Sequence, residues 1–436
     1  MSLASRLPFR HAYAAGFPGL GSQPVPTDAD ALDYLDRMAA ADGASVEVGV
    51  AVAVDAFFRD AKATPGLFEA IKASCILAGA RTLAGALVPV GSGPLHGAAE
   101  LYDASTNPSI INGGGSAGAW TPSTNTLSNT NSSGTSTRPS FRFSFPGVVS
   151  GRSYYISGRF SGDVGSVTAL DLHNNPSLGN AGTLEYDQNT GEFSGTSYNV
   201  YASFLQIDTD GTKGPFAVTI EELSIKEAMP APTSNGFVSG DFSRTAGLTG
   251  DGTSYIDSGR AADDDPLNDA HLAVHVSESA TSNTHYKAGA YNSGTQQTIL
   301  RSNFGSFLSA VNSGNFASAG GGNDVGLFGA SRFAADSSEF RLLGVTTPDS
   351  TASGAASTEN VTIFARNDGT PDGFFDGTIA FYSIGESLSL EDLDTAVTNL
   401  INRLKFALLV GENPSGLDPD TIDYIVRGYE AGGSLE

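Results

Sequence analysis

Apolar and polar residues alternate with a period of two over most of the chain, and helical spacing appears mainly in the first ninety residues and in one stretch near the end. Phe141, Phe143 and Phe145 alternate with Arg142 and Ser144, which gives a strand with one apolar face. In GRSYYISGRFSG, Tyr154, Ile156 and Phe160 oppose Tyr155, Ser157 and Arg159, and residues 198–207 supply another strand. FAVTIEELSIKEA places Phe216, Val218 and Ile220 on one face, and Glu221 with Glu222 predicts a bulge before Leu223 and Ile225 resume the pattern. Thr378, Ala380 and Tyr382 alternate with Ile379, Phe381 and Ser383 until Ile384 and Gly385 end the strand. Ser389, three residues before Asp392, then forms a capping box, and Leu393, Val397, Leu400, Ile401 and Leu404 make one helical stripe.

Residues 1–26 carry Pro8, Pro18, Pro24 and Pro26, so they form either an extended docking arm or a frayed terminus. From 27 to 89 the chain is Ala-rich. Thr27 is the expected N-cap of a helix bearing Leu32, Leu35 and Met38, and Gly43 closes it. Val46, Val48, Val50, Val52 and Val54 alternate as in a strand, yet Ala51, Ala53, Ala56, Phe57 and Phe58 carry the segment past strand length, so a helix is expected over 45–62. After Pro65, the residues Leu67, Phe68, Ile71, Cys75 and Ile76 predict a third helix with Cys75 in the core. The run ILAGARTLAGALVPV is expected to pack on another subunit. Residues 113–139, nearly all Gly, Ser, Thr and Asn apart from Trp120 and Leu127, read as surface loops, and 418–429 as a short helix that docks on another subunit or caps the chain's own core.

At 436 residues the chain should form about three units of roughly 150 residues each, and its 53 glycines favour many short strands joined by tight turns. The expected fold is mainly β, with a small α-helical N-terminal domain and two antiparallel β-sandwich (jelly-roll) domains. The arm covers 1–26, a helical attachment domain 27–95, one sandwich 96–230, a second with its terminal helix 231–405, and a tail 406–436. A net charge of −24 disfavours nucleic acid as a partner, because phosphate binding needs clustered Lys and Arg. One cysteine excludes an intrachain disulfide. The start lacks a leader-like apolar run, and no stretch reaches the roughly 18 apolar residues of a membrane span, so the expectation is folding in a cytoplasm.

His271 and His275 are four apart, but Leu272, Val274 and Val276 alternate around them; on a strand the two rings stand more than about 10 Å apart and do not share a metal. No HExxH, Gly-x-Ser-x-Gly or phosphate-loop pattern occurs, and no strand reads acid-x-acid-x-x-acid as a sandwich glycosidase would require. Glu221 and Glu222, being adjacent, point to opposite faces. Asp208 and Asp210, residues 263–265, and Asp368 with Asp372 offer oxygen ligands for Ca²⁺, although Asp and Asn before Gly also serve turns; no cofactor is required. Asp251 with Gly252 is read as a turn.

The phrases GVVSGRSYYISGRFSG and FAVTIEELSIKEA resemble strands of galactose-binding-like jelly-roll carbohydrate-binding modules. That resemblance implies sugar stacking on Trp120, Tyr155, Tyr198 and Tyr201, the alternative being that these rings are ordinary strand filling. FVSGDFSRTAGLTGDGTSYIDSGRAADDDPLNDAHLAVHVSE and the closing ENVTIFARNDGTPDGFFDGTIAFYSIGESLSLEDLDTAVTNLINRL resemble the concanavalin A-like (laminin G-like) domains of tailed-phage virion proteins over about 234–405. FEAIKASCILAGARTLAGALVPV looks like the segment that precedes such domains, which makes the first sandwich an insertion. The resemblance implies a non-enzymatic virion protein, of tail fibre, baseplate or head spike, folded in the host cytoplasm and then exposed on the particle. It would be a homo-oligomer, bound to other virion proteins through its arm and helical domain, that displays lectin-like sandwiches to host surface polysaccharide. The alternatives are a capsid decoration or head-spike base protein without sugar binding, and a polysaccharide depolymerase.

Overall fold

The computed structural model describes residues 26–102, 109–112, 118–129, 139–144, 148–149, 152–173, 180–197, 204–209, 216–282, 284–294, 296–320 and 325–412. The arm, apart from Pro26, and the tail beyond 412 lie outside them. Helix α1 (Ala29–Asp42) is capped by Asp28, not Thr27: the Asp28 carboxylate accepts the amides of Asp30 and Ala31, while Thr27 gives its amide to the buried Asp55 carboxylate. Gly43 closes α1 in the left-handed region at φ 67°, as its position predicts. The valine run is helical, α2 (Val48–Ala63), and buries Val50, Val54, Phe57 and Phe58.

The third helix does not form. Leu67–Ala70 makes a single helical turn, and β1 (Ile71–Ile76) is a strand buried along its whole length. A strand covered on both faces shows an unbroken apolar run, without the alternation that separates strand from helix in sequence. The chain then leaves for two antiparallel sheets of six and five strands, spanning residues 109–228. β2 (Ser153–Gly162) and β3 (Phe216–Ala228) are neighbours in the larger one, and Tyr154, Ile156, Phe160, Val218 and Ile220 share the core between the sheets with Leu127 and Phe143. Register slips between Ile220 and Glu222, so the expected bulge is present at Glu221. Within the stretch expected to be loops, residues 118–129 form a hairpin.

The second sandwich contains β4 (Ala270–Glu278), β5 (Thr284–Ser293), β6 (Gln296–Asn303), β7 (Ser306–Ser313), β8 (Ala317–Gly320), β9 (Gly326–Ala334), β10 (Ser337–Leu342), β11 (Val345–Asp349) and β12 (Thr378–Gly385). β12 is central. It pairs with β4 on one side, and on the other β1 and the short strand Gly247–Thr249 share its length end to end. The facing sheet ends at β8, and Leu272, Val274, Phe307, Phe328 and Tyr382 fill the space between the two layers.

Helix α3 (Leu390–Glu412) covers the outer face of the β12 sheet together with α1 and α2, where Phe381, Leu327 and Ala273 meet Phe57, Leu393, Val397 and Leu404. Ser389 caps it as expected, its hydroxyl accepting the Asp392 amide at 3.2 Å. The helix continues past 404 because Leu408 is also buried against the helical layer. Residues 27–95 are therefore not a separate attachment domain; through α1, α2 and β1 they form a layer and a strand of the second sandwich. The apolar run expected to face another subunit is consumed internally, with Leu77, Ala78, Ala80, Ala86 and Val90 all at most 2% exposed.

Candidate functional site

Trp120 and Tyr155 belong to one sheet but lie on opposite faces. Trp120 stands opposite Leu127, which pairs with Val218, and its ring meets Phe143 edge-on at 5.5 Å between centroids. Tyr155 follows the core-facing Tyr154 and so points outward. The two do not form a shared stacking platform. Tyr198, Tyr201, Asp210 and the side chain of Asp208 lie outside the described residues.

The other acidic loops are engaged by arginines. Asp265 is held by Arg260 at 2.6 Å, Asp264 by Arg152, and Asp372 and Asp368 by Arg366 at 2.6 and 3.3 Å. Among the described residues no group of three or more His, Cys, Asp or Glu side chains is placed to hold a metal ion. Asp251 is a turn residue, accepting the amides and hydroxyls of both Thr253 and Ser254, and these hydrogen bonds hold its pKa down to about 2. His271 and His275 sit on strand β4 as the alternation predicts. His271 bonds the Glu386 carbonyl at 2.5 Å and the Ser383 hydroxyl at 2.7 Å, and burial lowers both imidazoles to a pKa of about 4.

Two of these arginines also join the two sandwiches. Arg152, at the start of β2, reaches Glu227 on β3 at 3.1 Å and Asp264 of the second sandwich, while Arg260 approaches Glu227 at 3.6 Å. The chain enters and leaves the insert side by side, with Pro94 bridged to Ala228. Orientation is thus fixed by backbone and by charge.

A small notch of about 10 Å³, room for about one water molecule, opens where the edges of the two sheets of the second sandwich diverge. β7 and β8 form one lip and β9, β10 and β11 the other; Ser309, Val311, Asn315, Arg332, Phe340 and Asp349 are among its walls. Arg332 is only 1% exposed. Its Nε donates to the Val311 carbonyl at 2.8 Å, and its Nη1 to the carbonyls of Ala334 and Ala335, both at 3.2 Å. Among the described residues no carboxylate stands within ion-pairing distance of it, so three carbonyls replace its water; burial lowers its pKa, with nearby Asp349 opposing that shift. An arginine nevertheless stays charged. The Asp349 carboxylate accepts the hydroxyls of Ser338 and Thr351, and Glu339 accepts the Leu390 amide at the start of α3.

The sequence carried a signal for this site. Phe328, Ala330 and Arg332 occupy the core phase of one strand, where a guanidinium is out of place. Lys287 breaks phase in the same way: it is wholly buried, 2.5 Å from the Ser302 hydroxyl and 4.5 Å above the Phe328 ring.

No protein-family model matches this chain, and no curated protein does. Among solved structures, the mouse laminin alpha1 chain, domains LG4-5, is similar over 57% of this chain and 87% of that one, at 9% identity and a TM-score of 0.23.

Proposed function

We propose that this chain is a structural protein of a tailed phage or phage-like particle, in tail fibre, baseplate or head spike. It would anchor through its N-terminal arm and helical layer and hold its two sandwiches out to host surface glycans without catalysing a reaction. The observation that carries this reading is the locking of three parts into one body: β1 is a strand of the second sandwich, α1 to α3 cover that sandwich, and Arg152, Glu227, Arg260 and Asp264 fasten the insert to it. A preorganised surface loses little conformational freedom when it binds, which suits display rather than turnover. The sequence resemblance over 234–405 supplies the particle context.

The absence of catalysis is supported by the fate of the loop acids, since Asp264, Asp265, Asp368 and Asp372 are paired with arginines, whereas a glycosidase needs two carboxyl groups facing a scissile bond, one of them protonated. With the apolar run after Ile76 buried inside the chain, contact with other virion proteins falls to the arm and to the outer face of the helices. Retention of the intact chain on host polysaccharide tests the glycan half; no retention removes it.

A second reading, capsid decoration or a head-spike base without sugar binding, is favoured by Trp120, whose ring is spent on Phe143. A particle map separates the two. A receptor binder projects from the surface and a cement protein lies flat on it.

A further inference from the structure

We propose that the outer face of strands β5 to β7 binds a carboxylated sugar, one residue of a uronic-acid-bearing glycan, and that Arg301 is the group that grips the carboxylate. This rests on the glycan-binding reading above and names its ligand class.

Strand phase puts Arg301 on that face. Leu300 on β6 and Phe307 on β7 belong to the core between the sheets, while Arg301 stands across from Tyr286 on β5 and Leu308 on β7. Its guanidinium lies 5.2 Å from the centre of the Tyr286 ring. Arg366 approaches the same ring at 4.8 Å and the Tyr291 ring at 4.7 Å, so cations and phenols interleave across the surface.

Charge singles out Arg301 within this row. The chain has 47 acidic residues against 23 lysines and arginines, so its arginines have carboxylates to spare. Every other described arginine side chain pairs with one, except Arg332, which spends itself on carbonyls. Arg366 is already neutralised, with Asp372 taking its Nε at 2.9 Å and its Nη2 at 2.6 Å. Among the described residues Arg301 makes neither an ion pair nor a hydrogen bond. Its Nε is buried with no acceptor, a state that folded proteins seldom leave unanswered. The two terminal nitrogens are not enclosed in this way and the side chain is partly exposed, so Nη1 and Nη2 offer the surface the parallel N–H pair that matches a carboxylate end-on.

The sheet decides which carboxylate. β5, β6 and β7 are each hydrogen-bonded on both sides, so an acidic peptide finds no free edge to extend as an added strand. A dense polyanion is repelled by a net charge of −24. One guanidinium suits one carboxylate, and its surroundings suit hydroxyls. Asn303, two residues along β6 on the same face, accepts the Thr284 hydroxyl at 3.2 Å, and its amide nitrogen has no acceptor among the described residues. Exposed Ser306 and Ser318 pair with Asn303 and Leu308 across the strands, and Leu308 supplies an apolar contact for the C–H edge of a ring.

The test uses the full chain and three probes, titrated by saturation-transfer NMR: methyl glucuronide, methyl glucoside, in which a hydroxymethyl group replaces the carboxylate, and a blocked triglutamate peptide. The expected result is that the glucuronide binds more tightly than either of the others and that its binding weakens with added salt. Arg301→Lys keeps the charge but loses the fork, and should weaken the glucuronide by about tenfold. Arg301→Met keeps a stem over Tyr286 and should abolish binding. Neither variant removes a hydrogen bond, so both should melt close to the parent; if Arg301→Met does not fold, Arg301→Lys decides. A glucuronide that does not bind, that binds either folded variant as tightly as the parent, or that the glucoside or the triglutamate matches in affinity overturns the proposal. Retention of the chain on host polysaccharide without glucuronide binding removes this site and leaves the glycan reading; glucuronide bound through Arg301 without such retention keeps the site and removes the host reading.

Discussion

Tyr382 donates its hydroxyl to the sulfur of Cys75 at 3.4 Å, although the two residues are 307 positions apart in the chain. They face each other in register across β12 and β1, both buried, and burial pushes the Cys75 thiol up to about 12. Cys75 is thus core and not a nucleophile. More importantly, the pair shows where the N-terminal segment belongs: it completes the central sheet of a sandwich whose other strands begin after residue 230.

That pairing is open to a one-methyl test. A β carbon on Gly385 would stand 2.0 Å from the Ala70 carbonyl oxygen, an atom that cannot yield without moving β1. Gly385→Ala should cost about 3 kcal/mol, the upper end for overpacking, in urea unfolding of the whole sandwich. An unchanged midpoint would show that β1 is not held there.

The helical layer offers a contest between two effects. Gly49 in α2 lies against α3, and a β carbon there would be 2.8 Å from the Ala407 β carbon. Alanine improves helix propensity by about 1 kcal/mol, but overpacking costs about 1–3 kcal/mol, so Gly49→Ala should be net destabilising. Adding Ala407→Gly should restore part of the loss. The readout is a double-mutant cycle in which the double variant loses less stability than the sum of the two single losses.

Stability should fall on acidification before the carboxylates titrate. His271 and His275 are held near pKa 4 by burial, while an unfolded histidine titrates at about 6.5. Between those values the unfolded chain binds protons that the folded chain refuses, so stability drops as pH falls from 6.5 to 4, by up to about 3 kcal/mol per histidine. His271 faces Ser383, the Glu386 carbonyl and the fields of Asp265 and Arg260; His275 faces Asp394 and Lys405. Among the described residues His275 Nδ1 is buried without a partner, so His275→Leu should remove its share of the pH dependence with little loss at pH 7. Denaturant midpoints measured from pH 7 to pH 4 check this.

The junction between the sandwiches should loosen before either of them melts. Arg152 contacts Glu227 and Asp264 from a partly exposed position, so Arg152→Ala should cost only about 1 kcal/mol. The radius of gyration in solution scattering should nevertheless rise as the insert swings free of Asp264. No change would mean that the backbone pair through Pro94 and Ala228 suffices.

Read by itself, the sequence determined the elements whose faces differ. The alternation of Tyr154, Ile156 and Phe160, the bulge at Glu221, the Gly43 cap and the Ser389 N-cap all depend on neighbours within a few residues, and all are present. Tertiary structure decided the rest. Ile71–Ile76 became a strand because the helical layer buries one of its faces and the core between the two sheets the other, which erases the pattern that local reading uses. Trp120 and Tyr155 were separated because strand phase, not residue type, sets the face a ring occupies. The Arg332 notch needs two sheet edges to diverge, and its residues come from five strands whose spacing no single stretch of sequence records.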